Sequence, residues 1–380
     1  MNVLLSSCVH WWNAEAAYAA VLAEQLLAAG HRVTVWTQAG THNARELERR
    51  GLPIETSIPV PGGNLLGWRS TLAGLAALQA RQGTEIVNVF RSAEFPFHLW
   101  AARHERGPRV VRTRGTARPI RSGWLNRKMH RDWCGGLIAS SEAVRRQMRS
   151  ALDLPEERIR TIYYPIDLPD PGKLTRCETA RLDFLEELGI RDSRLLLGIV
   201  GRLYPEKGHA RLLAALEKIV PAFPNVLLLI LAKSAPGEDP ERPALEKQVR
   251  ELGLENHVRF IGFREDIRQL MSWFDIGVIP SLDSEVNCRV AVEFFSVGTP
   301  VVAFPTGALP EVVEHELSGL VTATHSEEDL SEALMRLGAD ADLRKRLGQG
   351  ARVQAERRFS PKGFLEDTLQ VFEAALQGTP

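Results

Sequence analysis

An alternation of short apolar segments with amphipathic segments runs along the whole chain and limits its fold more than any other feature. The apolar segments are "NVLLS", "HRVTVWT", "TEIVNVF", "RVVRTR" and "GLIASS" in the first half, and "RLLLGIVG", "NVLLLILA", "HVRFIG", "DIGVIPS" and "TPVVAF" in the second. The segments between them have helical periodicity, as in "AEAAYAAVLAEQLLAAG", where one face holds Tyr18, Val21, Leu22 and Leu26. Such strands are typical of parallel sheets covered on both faces. The sequence therefore predicts an α/β fold with doubly wound, Rossmann-like sheets.

The chain is long enough for two such domains, and its charge is divided unevenly between them. Of the 380 residues, those from 1 to 168 contain 22 Lys and Arg against 14 Asp and Glu. Since both totals are 47, the remainder contains 25 against 33. Residues 163–173, "YYPIDLPDPGK", are rich in Pro and Asp, as a linker would be. We expect one domain over residues 1–168 and a second over 169–358. We also expect a helix in 359–380, which packs either on the second domain or back on the first.

Several classes of protein are disfavoured by composition. The chain has no run of 18 apolar residues, and its first residues lack the basic segment of a signal peptide, so we expect a cytoplasmic protein without a membrane span. Its four cysteines have no paired spacing, which argues against a disulfide framework or a zinc site (Cys8, Cys134, Cys177 and Cys288). The "DAD" of residues 340–342 has the form of a metal-binding motif but stands where a helix start is expected, so we predict no metal.

The segment "GIVGRLYPEKGHARLLAAL" places two cations between a buried strand and a helix. Gly201 ends the strand, Arg202 follows it, and Lys207 precedes the helix. Two cations beside a helix N-terminus form an anion site, which a pyrophosphate would suit. The alternative is an ordinary loop with two solvated charges.

The segment "SEVNCRVAVEFFSVGTPVV" places Glu285 and Glu293 eight residues apart. A carboxylate accepts two hydrogen bonds and therefore suits vicinal hydroxyls, so one glutamate could hold a sugar and the other a ribose. The backbone N–H groups at the helix start between them would donate to the same ligand (Asn287, Cys288, Arg289 and Val290). The alternative is two surface glutamates on a helix.

Taken together, these two segments resemble the retaining glycosyltransferases of family 4, which have the GT-B fold. "GTPVVA" and the "GALPEVV" of residues 307–313 extend the resemblance. It implies two Rossmann-like domains that face each other across a cleft. It also implies the roles of the residues: Arg202 and Lys207 at the diphosphate leaving group, Glu293 at the ribose, Glu285 at the donor sugar and Gly307 beside the donor.

The chain departs from the family's pattern at several positions. Val286 and Cys288 stand where glycines are usual, which puts the choice of donor, or activity itself, in doubt. Cys288 is either a nucleophile or a small residue that fills the helix start. On the acceptor side, Asn13 either binds a sugar or caps a helix, and Arg114 either binds an anion or is a solvated charge.

The resemblance implies a nucleotide-sugar-dependent, retaining glycosyltransferase that uses a UDP- or GDP-sugar and no cofactor or metal. Its acceptor would be a glycan or a lipid-linked molecule in the synthesis of cell-surface polysaccharide or lipopolysaccharide. Two alternatives keep the fold: a nucleotide-sugar epimerase or phosphorylase, and a degenerate protein that only binds sugars.

The segment "RPIRSGWLNRKMHRDW", residues 118–133, mixes basic residues with tryptophans. This mixture suits the anionic surface of a membrane, with the protein peripheral on its inner face; nucleic acid is a poor match beside the donor motifs. The alternative is a helix with a solvated basic face and its tryptophans in the core.

Overall fold

The structure of the protein, a computed structural model, describes residues 1–60, 65–103, 107–169, 178–190, 195–232, 241–262, 264–283 and 285–378. The chain divides into two compact units. Unit 1 contains residues 1–165 together with 361–380, and unit 2 contains residues 166–360. The division follows Pro165, whereas the sequence analysis placed it after residue 168.

Unit 1 contains a parallel sheet of seven strands in the order β3-β2-β1-β4-β5-β6-β7. The strands are β1 (Asn2–Ser6), β2 (Arg32–Trp36), β3 (Ile54–Glu55), β4 (Ile86–Val89), β5 (Arg109–Arg114), β6 (Gly136–Ala139) and β7 (Ile159–Thr161). The order reverses beside β1, as it does in doubly wound folds. The helices between the strands are α1 (Ala14–Ala28), α2 (His42–Arg49), α3 (Leu65–Gln82), α4 (Phe95–Ala101), α5 (Trp124–Lys128) and α6 (Glu142–Leu152).

Unit 2 contains a parallel sheet of six strands in the order β10-β9-β8-β11-β12-β13. The strands are β8 (Leu195–Val200), β9 (Val226–Leu231), β10 (Val258–Ile261), β11 (Ile276–Ile279), β12 (Val301–Ala303) and β13 (Gly319–Val321). The helices are α7 (Glu178–Glu187), α8 (His209–Ile219), α9 (Arg242–Glu251), α10 (Ile267–Trp273), α11 (Arg289–Ser296), α12 (Leu309–Val312), α13 (Glu327–Ala339) and α14 (Ala341–Arg358). The predicted pair of doubly wound parallel sheets is therefore confirmed.

The last helix, α15 (Pro361–Gln377), belongs to unit 1. Its buried side chains include Phe364 and Phe372. The ring of Phe364 meets the ring of Tyr18 edge to face, with 5.0 Å between the centroids. Burial of two Phe side chains contributes several kcal/mol at roughly 1.5–3 kcal/mol each, so this helix is part of the core of unit 1.

His98 of α4 is fully buried in unit 1 against the ring of Trp36, with 5.2 Å between the ring centroids. Neither ring nitrogen has a hydrogen-bond partner among the described residues. Burial lowers the pKa of His98 to about 3, because the charged form cannot be solvated there. His98 therefore stays neutral in the folded protein at any pH in the physiological range.

Replacing His98 by Phe should make unit 1 less sensitive to acid. A histidine with a pKa of about 3 when folded, and of about 6.5 when unfolded, contributes stability that is lost as the pH falls below about 6.5. At pH 5 the loss amounts to about 2 kcal/mol. Urea titrations followed by tryptophan fluorescence report mainly on unit 1, which contains seven of the eight tryptophans. Between pH 7.5 and 5, the free energy of unfolding of His98→Phe should fall by about 2 kcal/mol less than that of the wild type. An equal loss in both proteins would contradict the assignment.

Candidate functional site

The loops that follow β8, β11 and β12 meet at the carboxyl edge of the sheet in unit 2. Gly201 continues β8, and its N–H donates to the carbonyl of Leu231 over 3.0 Å. The loop then makes a tight helical turn over Pro205–Lys207 and enters α8 through Gly208, whose φ is +72°. A Cβ at Gly208 would overlap the carbonyl oxygen of Pro280, at the end of β11. Glycine therefore allows the first two loops to touch.

Lys207 and Glu285 form an ion pair between these two loops. The Nζ atom of Lys207 donates to Oε1 of Glu285, and the hydroxyl of Ser281 donates to the same oxygen over 2.8 Å. The side chains are 28% and 13% exposed, so both remain within reach of a ligand. The pair places an ammonium and a carboxylate together, and this combination can hold a phosphate oxygen and a hydroxyl at one point.

The loop after β12 fixes the backbone beneath the pair. Gly307 has a φ of +58°, and a Cβ there would overlap the carbonyl oxygen of Glu285, which accepts the N–H of Ala308 over 2.7 Å. Thr306 donates its hydroxyl to the carbonyl of Ser281. These contacts hold the predicted residues Glu285 and Gly307 against each other.

Helix α11 begins beside this point. Cys288, just before the helix, adopts a left-handed conformation with a φ of 45°, a backbone conformation that favours glycine. Burial, followed by the charges of Glu285 and Glu311, raises the pKa of the Cys288 thiol well above its ordinary value. The thiol is buried and held neutral, which favours the alternative of a small residue that fills the helix start. The side-chain oxygen of Asn287 is buried and has no hydrogen-bond partner among the described residues.

The other predicted donor residues make local contacts. Arg289 donates from Nε to Oε1 of Glu293 over 2.8 Å, one helical turn away. Val290 is half-buried on the same helix. Arg202 is exposed, and its guanidinium carbon lies 4.7 Å from the ring centroid of Tyr204. Arg202 and Lys207 lie on the same loop between β8 and α8, and their convergence on one anion stays a prediction.

Sequence reasoning missed the residues that support the pair. Ser281 bonds the carboxylate of Glu285, Thr306 bonds the carbonyl of Ser281, and Nε2 of His325 lies 2.8 Å from the hydroxyl of Thr306. A usable signal for the first two was their position, since each follows a strand at the ligand-binding edge of the sheet. No such signal marks His325.

The two predicted acceptor-side residues lie in unit 1. Asn13 caps α1, because its side-chain oxygen accepts the N–H of Ala16 over 2.9 Å. Arg114 ends β5 and is only 5% exposed, so the solvated-charge alternative is wrong. It donates to the carbonyl of Arg118.

The described part of the chain shows neither a metal cluster nor a membrane span. It contains no group of three or more metal-ligating His, Cys, Asp or Glu side chains. Asp340 caps α14 by accepting the N–H of Leu343 over 2.8 Å, as expected for a helix start. Within the same ranges, no helix has both the length and the apolar character needed to cross a membrane.

The basic segment of residues 118–133 presents a tryptophan to solvent. Trp124 of α5 is 76% exposed, and Leu125 beside it is also exposed. Arg127 and Lys128 on the same helix are exposed as well. Trp133 is half-buried, with the guanidinium carbon of Arg103 4.0 Å from its ring centroid. Placing the tryptophans in the core was therefore wrong for Trp124.

Two family models match this chain. The model described as "Glycosyl transferases group 1" matches residues 181–354, which lie in unit 2. The model described as "Glycosyltransferase Family 4" matches residues 16–169, which are almost all in unit 1. The two matches do not overlap, and together they include the site on the six-stranded sheet and most of the seven-stranded sheet.

The chain is also similar to curated proteins and solved structures. It is 30% identical over 254 residues to the D-inositol 3-phosphate glycosyltransferase of Saccharomonospora viridis, with 64% of this chain and 57% of that protein covered. The match thus spans less than two thirds of that relative's length. A glycosyltransferase structure from Rickettsia africae has a TM-score of 0.88 at 18% identity, with 99% of both chains covered. HepE from Anabaena in complex with UDP has a TM-score of 0.84 at 22% identity, covering 98% of this chain and 100% of that one. These two likenesses concern the fold.

Replacing Gly307 by Ala should loosen the contact with Glu285. The added Cβ would meet the Glu285 carbonyl, and the left-handed backbone would cost about 1–3 kcal/mol. We expect faster hydrogen–deuterium exchange at Ala308 and a lower melting temperature for unit 2. Gly262→Ala is the control, because a Cβ there meets nothing within 4 Å. Unchanged exchange at Ala308 in the Gly307 variant would show that the contact does not hold this loop.

Proposed function

This chain belongs to family 4 of the glycosyltransferases, and we propose that it transfers a sugar from a nucleotide-sugar to a hydroxyl group of an acceptor. The observation that carries the proposal is the Lys207–Glu285 pair, which lies where the loops of three neighbouring strands meet. Ligands of doubly wound sheets bind at this edge. The UDP bound by HepE supports a uridine nucleotide as the nucleotide part of the sugar donor.

In the proposed complex, Lys207 leaves Glu285 and binds the diphosphate of the donor. The ammonium gains a doubly charged partner, and the carboxylate of Glu285 is then free to accept hydrogen bonds from the sugar's hydroxyls. Arg202 adds a second cation from its exposed position, and Glu293 holds the ribose. The N-terminus of α11 adds the partial positive charge of its unpaired N–H groups.

We infer that the reaction retains the configuration of the transferred sugar. The acceptor oxygen forms a bond to the anomeric carbon on the face from which the diphosphate departs. The bond between that carbon and the phosphate oxygen breaks, and the leaving oxygen takes the acceptor's proton. Lys207 and Arg202 stabilise the charge that develops on the leaving group, which is the task a metal ion performs elsewhere. The transfer then proceeds without a metal.

Replacing Lys207 or Arg202 by Ala should lower turnover strongly. Removal of one preorganised charge at a leaving group costs roughly 3–4 kcal/mol, which is about 10²–10³ in rate. Turnover of UDP-sugars should be measured with EDTA and, separately, with Mg²⁺; we expect both variants to be impaired in both buffers. Lys247→Ala is the control, since Lys247 is an exposed lysine on α9. The assignment fails if both variants keep near-native turnover, and the metal-free mechanism fails if EDTA abolishes the wild-type reaction.

We further propose that the acceptor is a glycan or glycolipid held at a membrane, as in the synthesis of cell-surface polysaccharide. The supporting feature is the exposed surface on α5 and the residues just before it. It combines the aromatic ring of Trp124 with the charges of Arg121, Arg127 and Lys128. An aromatic side chain beside cations suits the headgroup region of an anionic bilayer. This surface would bring unit 1 to the lipid that carries the acceptor.

Reversing the charge of Arg121, Arg127 and Lys128 to Glu should abolish binding to anionic vesicles. Each cation near such a surface contributes about 1 kcal/mol, so three together account for roughly 100-fold in affinity. Sedimentation with phosphatidylserine vesicles should show binding by the wild type that fades with salt. The control reverses three exposed arginines elsewhere in unit 1 (Arg32, Arg45 and Arg109). Equal binding to neutral vesicles, or equal loss in the control, would make the segment an ordinary solvated face.

A further inference from the structure

A cavity of about 480 Å³ opens at the amino edge of the seven-stranded sheet in unit 1. It lies where α3 ends and where β4 and β5 begin, and the last turn of α15 borders it. Ala80, Pro108 and Leu376 form the apolar part of its wall. Its volume falls in the range of about 300–1,000 Å³ that is usual for small-molecule sites. Ligands of doubly wound sheets ordinarily bind at the carboxyl edge, so this cavity is separate from the edge that faces the chemistry of such folds.

The backbone around the cavity is already hydrogen-bonded. Helix α3 closes through Gly83, whose φ is +58° and whose N–H donates to the carbonyl of Ala80 over 3.2 Å. The N–H of Thr84 donates to the carbonyl of Gln79 over 2.9 Å, which completes the helix end. The side-chain amide of Asn2 donates to the carbonyl of Gly83 over 2.9 Å. The backbone groups at this helix end therefore need no ligand.

Two buried side chains in the same wall keep unused hydrogen-bonding capacity. Gln79 is 2% exposed, and neither atom of its amide has a hydrogen-bond partner in the described part of the chain. Thr84 is 7% exposed, and its hydroxyl makes no hydrogen bond with a described residue. A buried polar group without a partner costs about 1–3 kcal/mol, and a bound molecule would offset that cost.

The charges at the cavity cancel. Glu85 and Arg109 both line it and are both exposed. One carboxylate oxygen of Glu85 accepts the N–H of Asn2 over 2.8 Å, which leaves further acceptor capacity on that group. The guanidinium of Arg109 has no hydrogen bond or ion pair within the described ranges. With one cation and one carboxylate, the cavity does not select an anion.

The polar groups instead match a ligand that is rich in hydroxyls. The amide of Gln79 and the hydroxyl of Thr84 each donate and accept, as every hydroxyl of a sugar does. Glu85 adds acceptors and Arg109 adds donors at the exposed side. The apolar wall around Leu376 suits the C–H groups of a sugar ring, which carry no hydrogen-bonding atoms.

We propose that this cavity is a second saccharide site, which binds a neutral sugar unit away from the donor site of unit 2. Gln79 and Thr84 bond the ring hydroxyls, while Glu85 and Arg109 bond those nearest to solvent. The site goes beyond the proposed transfer reaction and does not depend on it. A sugar unit of a longer glycan could be held there while another part of the same molecule is elsewhere on the protein.

The proposal is tested by titrating the full chain with sugars and following its backbone N–H resonances by NMR. Gly83 and Glu85 are the reporters, because both line the cavity. The probes are glucose, galactose and N-acetylglucosamine, with glucose 6-phosphate as the anionic comparison. We expect at least one neutral sugar to shift both resonances in a saturable manner, and glucose 6-phosphate to bind no more tightly than glucose.

Gln79→Met and Thr84→Val preserve the size of each side chain and remove hydrogen-bonding atoms. Each should weaken the neutral sugar roughly 10-fold. Gln79→Met should also raise the melting temperature of the free protein, because it removes a buried amide that has no partner among the described residues. Weaker sugar binding in a more stable protein does not arise from damage to the fold. Thr84→Val decides the matter if Gln79→Met does not fold.

Gln82→Met is the matched control, because Gln82 is a half-buried glutamine on the same helix and lies outside the cavity wall that the described residues form. It should bind the sugar like the wild type. The saccharide site is overturned if none of the three neutral sugars moves the reporters, or if glucose 6-phosphate alone does so. It is also overturned if Gln79→Met and Thr84→Val bind like the control. None of these outcomes bears on the proposed transfer, which is tested by turnover of UDP-sugars.

Discussion

The ion pair between Lys207 and Glu285 is the contact on which the proposed donor site depends. It joins loops 78 residues apart in sequence, and the two loops can approach only because Gly208 has no side chain. Gly307 allows a third loop to close beneath Glu285 in the same manner. Each charge is the partner of the other, so neither has to be exposed alone. A diphosphate can then replace the carboxylate as the partner of the ammonium.

The sequence was sufficient to predict the fold because most strands are continuous apolar runs bounded by turn and loop residues. β5 runs from Arg109 to Arg114, as its sequence pattern indicates, and α1 starts at Ala14, directly after its cap. β3, β7 and β13 were missed because strands of two or three residues carry little usable periodicity. Their pairing is imposed by their neighbours in the sheet rather than by local sequence.

Some functional residues can likewise be identified from the sequence, whereas others can be identified only from the structure. Lys207, Glu285 and Gly307 stand out in sequence because motifs surround them, yet their direct contact depends on the tertiary fold. Buried charges of unit 1 such as Glu94 and Arg112 are single residues, and no motif distinguishes them from charged residues at the surface. Only their burial does so, and burial results from the packing of β1, β4 and β5. Cys288 is an intermediate case: its departure from glycine is visible in sequence, whereas its left-handed backbone and its neutral thiol are not.

The proposed mechanism requires the Lys207–Glu285 pair to receive the donor's diphosphate. A crystal structure of the full chain with UDP tests it most directly. Phosphate oxygens should lie within hydrogen-bonding distance of Nζ of Lys207, with the carboxylate of Glu285 released from that nitrogen. A diphosphate bound elsewhere, with the ion pair intact, would contradict it.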